Sequence, residues 1–260
     1  MRFSRFAAGW RVGADFFERR KAVVSGAAPP LGLVDAASEL AGRTVDAARI
    51  HPAARRFLER TGELELVVHS RWSGWAWPLW RVARPIFGAV GQLVLPLRQA
   101  TIRTRLFALD AAADGRPGAR GVVREYADTG RPMQTMAYAV HAAADGPYMS
   151  TALPLPLGNL TGQLRLEAID EDPDGRLAVR LTSDAPSGGV WFVTSLVALR
   201  LPLRETLSLW GADMECAPAD LDPGVVRGTV LVGRHEQRLF GALAATHDYW
   251  FYPRLSKSEA

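Results

Sequence analysis

His247 is the residue in this chain with the clearest chemical option. Read at period two, the stretch around it places Leu239, Gly241, Leu243, His247, Tyr249 and Phe251 on one face. Phe240, Asp248 and Trp250 fall on the other. An imidazole on an apolar face needs a hydrogen-bond partner or a task. As an acid–base group it would serve a cofactor-free isomerisation, cyclisation or hydration. Asp248 points the other way on a strand, so the carboxylate fixing its tautomer would come from Glu125, Glu205 or Asp213.

The other four histidines offer less. His141 follows Ala137 and Ala139 on one face, a wall that either leaves room for a ligand or meets solvent. His69 lies with Glu65 and Arg71, His51 opens a helix, and His235 stands beside Glu236. No two are spaced as metal ligands, and Cys216 is the single cysteine, so neither a bound metal nor an internal disulfide is expected. Asp170, Asp172, Asp174 and Gly175 begin like a calcium loop. Pro173 interrupts it, and Leu181 occupies the place of the bidentate glutamate, which leaves an acidic turn.

G-x-S-x-G, H-E-x-x-H, a P-loop and a strand-linked G-x-G-x-x-G are all missing, so hydrolase, zinc-protease and nucleotide-binding readings lack their usual support and no cofactor is expected. Lys21 and Lys257 are the only lysines, both near the chain ends, which disfavours Schiff-base chemistry. Aromatic residues supply the material of an apolar site instead. Trp72, Tyr126, Tyr138, Trp191, Trp210 and Tyr249, with His141, are the candidate ligand-binding residues. Arg103, Arg105 and Arg124 lie on neighbouring predicted strands and offer a pairing for a ligand carboxylate or phosphate, unless they simply face water.

These side chains must be held by a scaffold of 260 residues, 48% hydrophobic and 22% charged, the balance of a soluble globular chain. The net charge of +4 is unevenly spread. Residues 1–105 carry 17 Lys and Arg against 8 Asp and Glu, and the remainder is acidic. A basic front half suits an anionic surface. The arginines are scattered and no recognition motif accompanies them, so nucleic acid is not the expected partner. The first residues lack a secretory layout, which points to a cytoplasmic protein, peripheral to a membrane at most.

The scaffold is expected to be mainly β, of the α+β kind: N-terminal helices followed by an antiparallel meander forming a barrel or a sandwich. Residues 1–61 would be a helical segment packed on the main domain. They include an amphipathic stretch bearing Phe3, Phe6, Trp10 and Phe16 or Phe17. A helix is expected within Thr44–Arg60, with Pro52 starting a turn. Residues 62–255 would form the β domain and 256–260 a disordered tail. Within the β domain Leu64, Leu66, Val68 and Trp72 share one strand face, with Val67 and Ser70 out of pattern. Further strands are expected at Thr101–Leu109, Gly121–Ala127, Met133–His141, Gln163–Ile169, Arg176–Ser183, Val190–Ala198, Glu205–Met214, Val225–Gly233 and Arg238–Phe251, between turns such as DGRPG and DPDG. The stretch 71–98 holds Trp72, Trp75, Trp77 and Trp80. It is too interrupted to span a bilayer, so it reads as a lid over an apolar interior or as a membrane contact.

The run HPAARRFLERTGELELVVHSRW, the Leu95–Leu97 tripeptide and the long β half together resemble bacterial hypothetical proteins that begin with a His-Pro helix. The likeness runs from His51 onward. It implies a stand-alone domain of unassigned activity and carries over no catalytic residue. Lipocalin-type carriers are similar in architecture only. The expected function is binding of an apolar small molecule or lipid in the β domain. The alternatives are a cofactor-independent cyclase or isomerase using His247, and a peripheral membrane or protein-interaction module using 71–98. The oligomeric state is open.

Overall fold

The computed structural model describes residues 3–42 and 45–254; the expected tail at 256–260 lies outside them. Twelve strands are present among the described residues: β1 (Leu64–Trp72), β2 (Ala100–Ala108), β3 (Arg120–Tyr126), β4 (Pro132–Ala143), β5 (Gly146–Leu155), β6 (Gly158–Glu171), β7 (Leu177–Thr182), β8 (Gly189–Val193), β9 (Ala198–Arg200), β10 (Leu203–Gly211), β11 (Leu231–Leu239) and β12 (Ala242–Pro253). Ten of them close an antiparallel barrel in the order β1–β2–β3–β4–β5–β6–β7–β10–β11–β12, with β12 returning to β1. β8 and β9 extend from β6 outside the ring. Of the two forms expected for the meander, the barrel is the one adopted.

Alternation decides which side chains fill the ring. Leu64, Leu66 and Val68 of β1, Leu164 and Leu166 of β6, and Leu177, Val179 and Leu181 of β7 join one interior cluster, as their spacing predicts. Short helices precede and interrupt the strands: α1 (Phe16–Arg19), α2 (Ser38–Ala41), α3 (Pro52–Glu59), α4 (Ala76–Val90) and α5 (Ala111–Asp114). Phe57 and Leu58 of α3 pack into the same cluster, with Phe57 5.0 Å from the Phe251 ring. Pro52 takes the first position of α3, where its missing N–H costs nothing. His51 caps the helix, its Nδ1 accepting from the Ala53 N–H at 3.2 Å.

The N-terminal segment differs from the amphipathic helix expected. Among its described residues before Val24 only Phe16–Arg19 is helical; the others form irregular chain laid on the outside of the barrel. Phe6, Phe16 and Phe17 are buried there against Val123, Ala137 and Ala139, whereas Trp10 stands 89% exposed. Gly121 gives Phe17 its place, since a Cβ on it would come within 2.7 Å of the ring. Small residues on β3 and β4 thus serve the outer face. A third cluster, holding Val67, Trp210 and Trp250, covers the outside of the barrel elsewhere.

Several strand expectations also change, among them Val190–Ala198, which is divided between β8 and β9. β5 is a strand that the period-two reading does not include; it carries Pro147 and Pro154, which fall near its two ends. The strand expected at Val225–Gly233 begins only at Leu231, after a 3₁₀ turn at Pro223–Val225. The run Arg238–Phe251 is broken into a hairpin by Phe240 and Gly241, both with positive φ (51° and 82°), a two-residue turn that fits strand twist.

Candidate binding site inside the barrel

The inward faces of the ring line a cavity of about 100 Å³. Its apolar wall comes from leucines of several strands, from Met136, Met149 and Phe251, and from Leu33, Phe57, Leu93 and Leu95, which enter from the connecting segments. Its polar groups arrive as cross-strand pairs. Arg124 of β3 faces Gln134 of β4, Tyr138 of β4 faces Thr151 of β5, Glu205 of β10 faces Gln237 of β11, and His235 of β11 faces His247 of β12. Every one of these eight lines the cavity, as does Tyr249.

His247 is buried, 1% exposed, and its ring meets the His235 ring at 5.8 Å. Its Nδ1 shares a hydrogen bond of 2.8 Å with Ser70 Oγ across the β1–β12 pair, while Nε2 is buried with no hydrogen-bond partner among the described residues. Ser70 is one of the two positions that break the alternation of β1. A hydroxyl on an otherwise apolar inward face was the signal of this contact. Burial pushes the His247 pKa down to about 3, helped by the neighbouring charge of His235. His247 is therefore a neutral imidazole at physiological pH, suited to hydrogen bonding more than to taking up a proton.

Of the carboxylates considered as its partner, only Glu205 lies in the cavity, and it pairs with His235 at 3.4 Å. Its Oε1 lies over Gly162, where a Cβ would collide with it. Glu125 faces outward to Arg105, and Asp213 pairs with His51 and Arg176. Burial lowers the His51 pKa, partly opposed by Asp213. Asp248 points outward, buried between Arg71 (2.6 Å) and Arg234 (2.8 Å).

The remaining candidates divide by position. Tyr138 and Tyr249 line the cavity, both buried, and burial raises the phenol pKa of each, Tyr249 to about 12, so both remain O–H donors. Trp72 is half-buried above His247, edge-on at 5.9 Å, and stacks on Trp80 of α4 at 4.3 Å. Tyr126 donates from its hydroxyl to the Val94 carbonyl at 2.6 Å, which fixes the segment carrying Leu93 and Leu95. Like Trp72 and Tyr126, His141, Trp191 and Trp210 do not line the cavity. His141 stacks on Tyr148 at 6.1 Å. Trp191 of β8 packs on Phe3 and Arg200, and Trp210 donates to Asp170 on the outside of the ring.

The chain resembles a bacterial membrane protein of unassigned activity. It is 26% identical over 209 residues to the uncharacterized membrane protein YndJ of Bacillus subtilis (strain 168), a match covering 78% of this chain and 37% of YndJ. The chain thus spans little more than a third of that relative's length. No family model matches the chain, and no solved structure does. The similarity agrees with the likeness to bacterial hypothetical proteins read from the sequence.

Arg103 and Arg105 face outward, toward Glu65 and Glu125, whereas Arg124 faces in. α4 presents an apolar stripe to solvent: Trp75, Leu79, Val82 and Ile86, the last two 72% and 62% exposed. Arg81 flanks it and lies over the Trp77 ring at 5.9 Å. No helix among the described residues is long and apolar enough to cross a membrane. Among them, too, no group of three or more His, Cys, Asp or Glu side chains is placed to hold a metal ion.

Proposed function

We propose that the barrel binds a small, largely apolar molecule in its interior. The observation that carries this reading is the cavity within the ring, in which an apolar wall accompanies a few polar side chains that line one space. An engineered apolar cavity of about 150 Å³ admits benzene. About 100 Å³ thus favours a compact molecule over an acyl lipid. The neutral state of His247 and its Ser70 contact support binding ahead of acid–base catalysis.

The test follows the methyl resonances of Met136 and Met149, two residues of the wall. Small aromatic and aliphatic alcohols are expected to shift both in the native protein and neither in a Leu207→Trp variant that fills the space. Equal response in the two proteins would refute interior binding.

A second reading has its own support. The exposed stripe of α4 and its flanking Arg81 have the composition of an interfacial helix, and the similar Bacillus protein is named a membrane protein. Vesicles containing anionic lipid are expected to retain the protein at low salt and to release V82D/I86D. Equal retention of both proteins would end this reading.

A further inference from the structure

Among the described residues, Arg124 is the one arginine lining the cavity, and none of the ion pairs among them includes it. It is 7% exposed, and its Nε is fully buried without an acceptor. Among the described residues no carboxylate lies within ion-pair distance of it, although the outward arginines beside it, Arg103 and Arg105, are both paired. Burying a guanidinium without a counter-charge is costly, and such a group persists where it has work. Glu205, the one carboxylate lining the cavity among the described residues, is turned to His235 and held over Gly162.

The groups nearest Arg124 present donors whose acceptors are weak. Gln134, its cross-strand partner, donates from Nε2 to the Met136 sulfur at 3.1 Å, and the Tyr138 hydroxyl reaches the same sulfur at 3.7 Å. A thioether is a weak acceptor. The Tyr249 hydroxyl faces the same space, and both phenols feel the Arg124 charge and, opposing it, the Glu205 carboxylate that is turned to His235. One guanidinium and two phenol hydroxyls around a small volume form a donor set for an anion, and the flat guanidinium fork matches a carboxylate.

We infer that the ligand is a small organic acid, its carboxylate held by Arg124 with Tyr138 and Tyr249 and its apolar body set against the leucine and methionine wall. This rests on the interior-binding reading and names the chemistry of the molecule bound there.

The experiment titrates the native protein with butyrate and benzoate and, in parallel, with butanol and benzyl alcohol, which have matching bodies and no charge. Calorimetry and the Met136 and Met149 methyl shifts give the affinities. The better-fitting acid is expected to bind at least about tenfold more tightly than its alcohol. Arg124→Met should remove that preference, and Arg124→Lys should restore part of it. If native protein binds acid and alcohol equally, the inference is overturned and interior binding stands. If none of the four binds at about 10 mM, interior binding falls and the inference with it. The comparison on native protein decides even if the Arg124 variants do not fold.

Discussion

Lowering the pH from 7 to 5 should destabilise the protein through His247 by an amount that can be isolated. In the folded barrel the imidazole stays neutral down to about pH 3, because it is buried beside Ser70 and His235. In the unfolded chain it protonates near its ordinary value of 6.5. Between those limits the unfolded state binds the extra proton. Stability is therefore full above about 6.5 and falls as pH falls, by about 1.4 kcal/mol per unit. Integrated from pH 7 to pH 5, the loss is roughly 2 kcal/mol. Urea unfolding at pH 7, 6 and 5, with the denaturant slope held common, measures it. Other groups titrate over the same range, so the informative quantity is the difference between native protein and His247→Gln, which carries no proton to gain. Native protein should lose about 2 kcal/mol more than the variant across this interval. If the two lose stability in parallel, the imidazole is not held neutral, and the placement of His247 inside the barrel is wrong.

Asp248→Ala removes a carboxylate that is 1% exposed between Arg71 and Arg234. Arg234 keeps Asp220 at 2.7 Å, so the expected cost is near the low end for a broken buried pair, about 3 kcal/mol. A melting temperature within a degree or two of native would contradict that. Gly162→Ala would push the Glu205 carboxylate off its place and away from His235, at roughly 1–3 kcal/mol. In a Glu205→Ala background the same change should cost less, with only the Thr151 hydroxyl, 2.8 Å from the added Cβ, left to give way, and a double-mutant cycle without coupling would show that Gly162 and Glu205 do not meet.

Much of the ring was legible because it obeys period two. The inward residues of β1, β6, β7 and β12 follow directly from alternation between apolar and polar side chains. The N-terminal phenylalanines were legible as a packing surface but not in their form, since Phe6, Phe16 and Phe17 are buried from irregular chain as well as they would be from a helix. The alanines of β4 misdirect for a physical reason. Ala137 and Ala139 are small because Phe16 and Phe17 lie over them outside the ring, so a face that suggests room for a ligand is already filled. The hairpin at Phe240 and Gly241 was hidden because Phe is a rare choice for a left-handed position. Tyr138, Tyr249 and His247 could be found as inward residues, and Arg124 as a possible anion partner. Their meeting across the ring depends on the strand order, which no local pattern contains.

The β1–β12 pair joins residues 64–72 to residues 245–253, the two ends of the chain that forms the barrel. Every other pair in the ring except β7–β10 joins strands consecutive in sequence. During synthesis β1 can find β2 early, yet its other edge stays bare until β12 has been made. About 180 residues at about 5–20 per second leave that edge open for roughly ten to forty seconds, a long exposure for a strand bearing Leu66 and Val68. The polar contacts of Ser70 with His247 and of Arg71 with Asp248 sit on this late-made seam. A slip of one residue would turn Asp248 into the apolar interior and His247 out of it. The side chains that line the site on this wall therefore also proofread the register in which the ring closes.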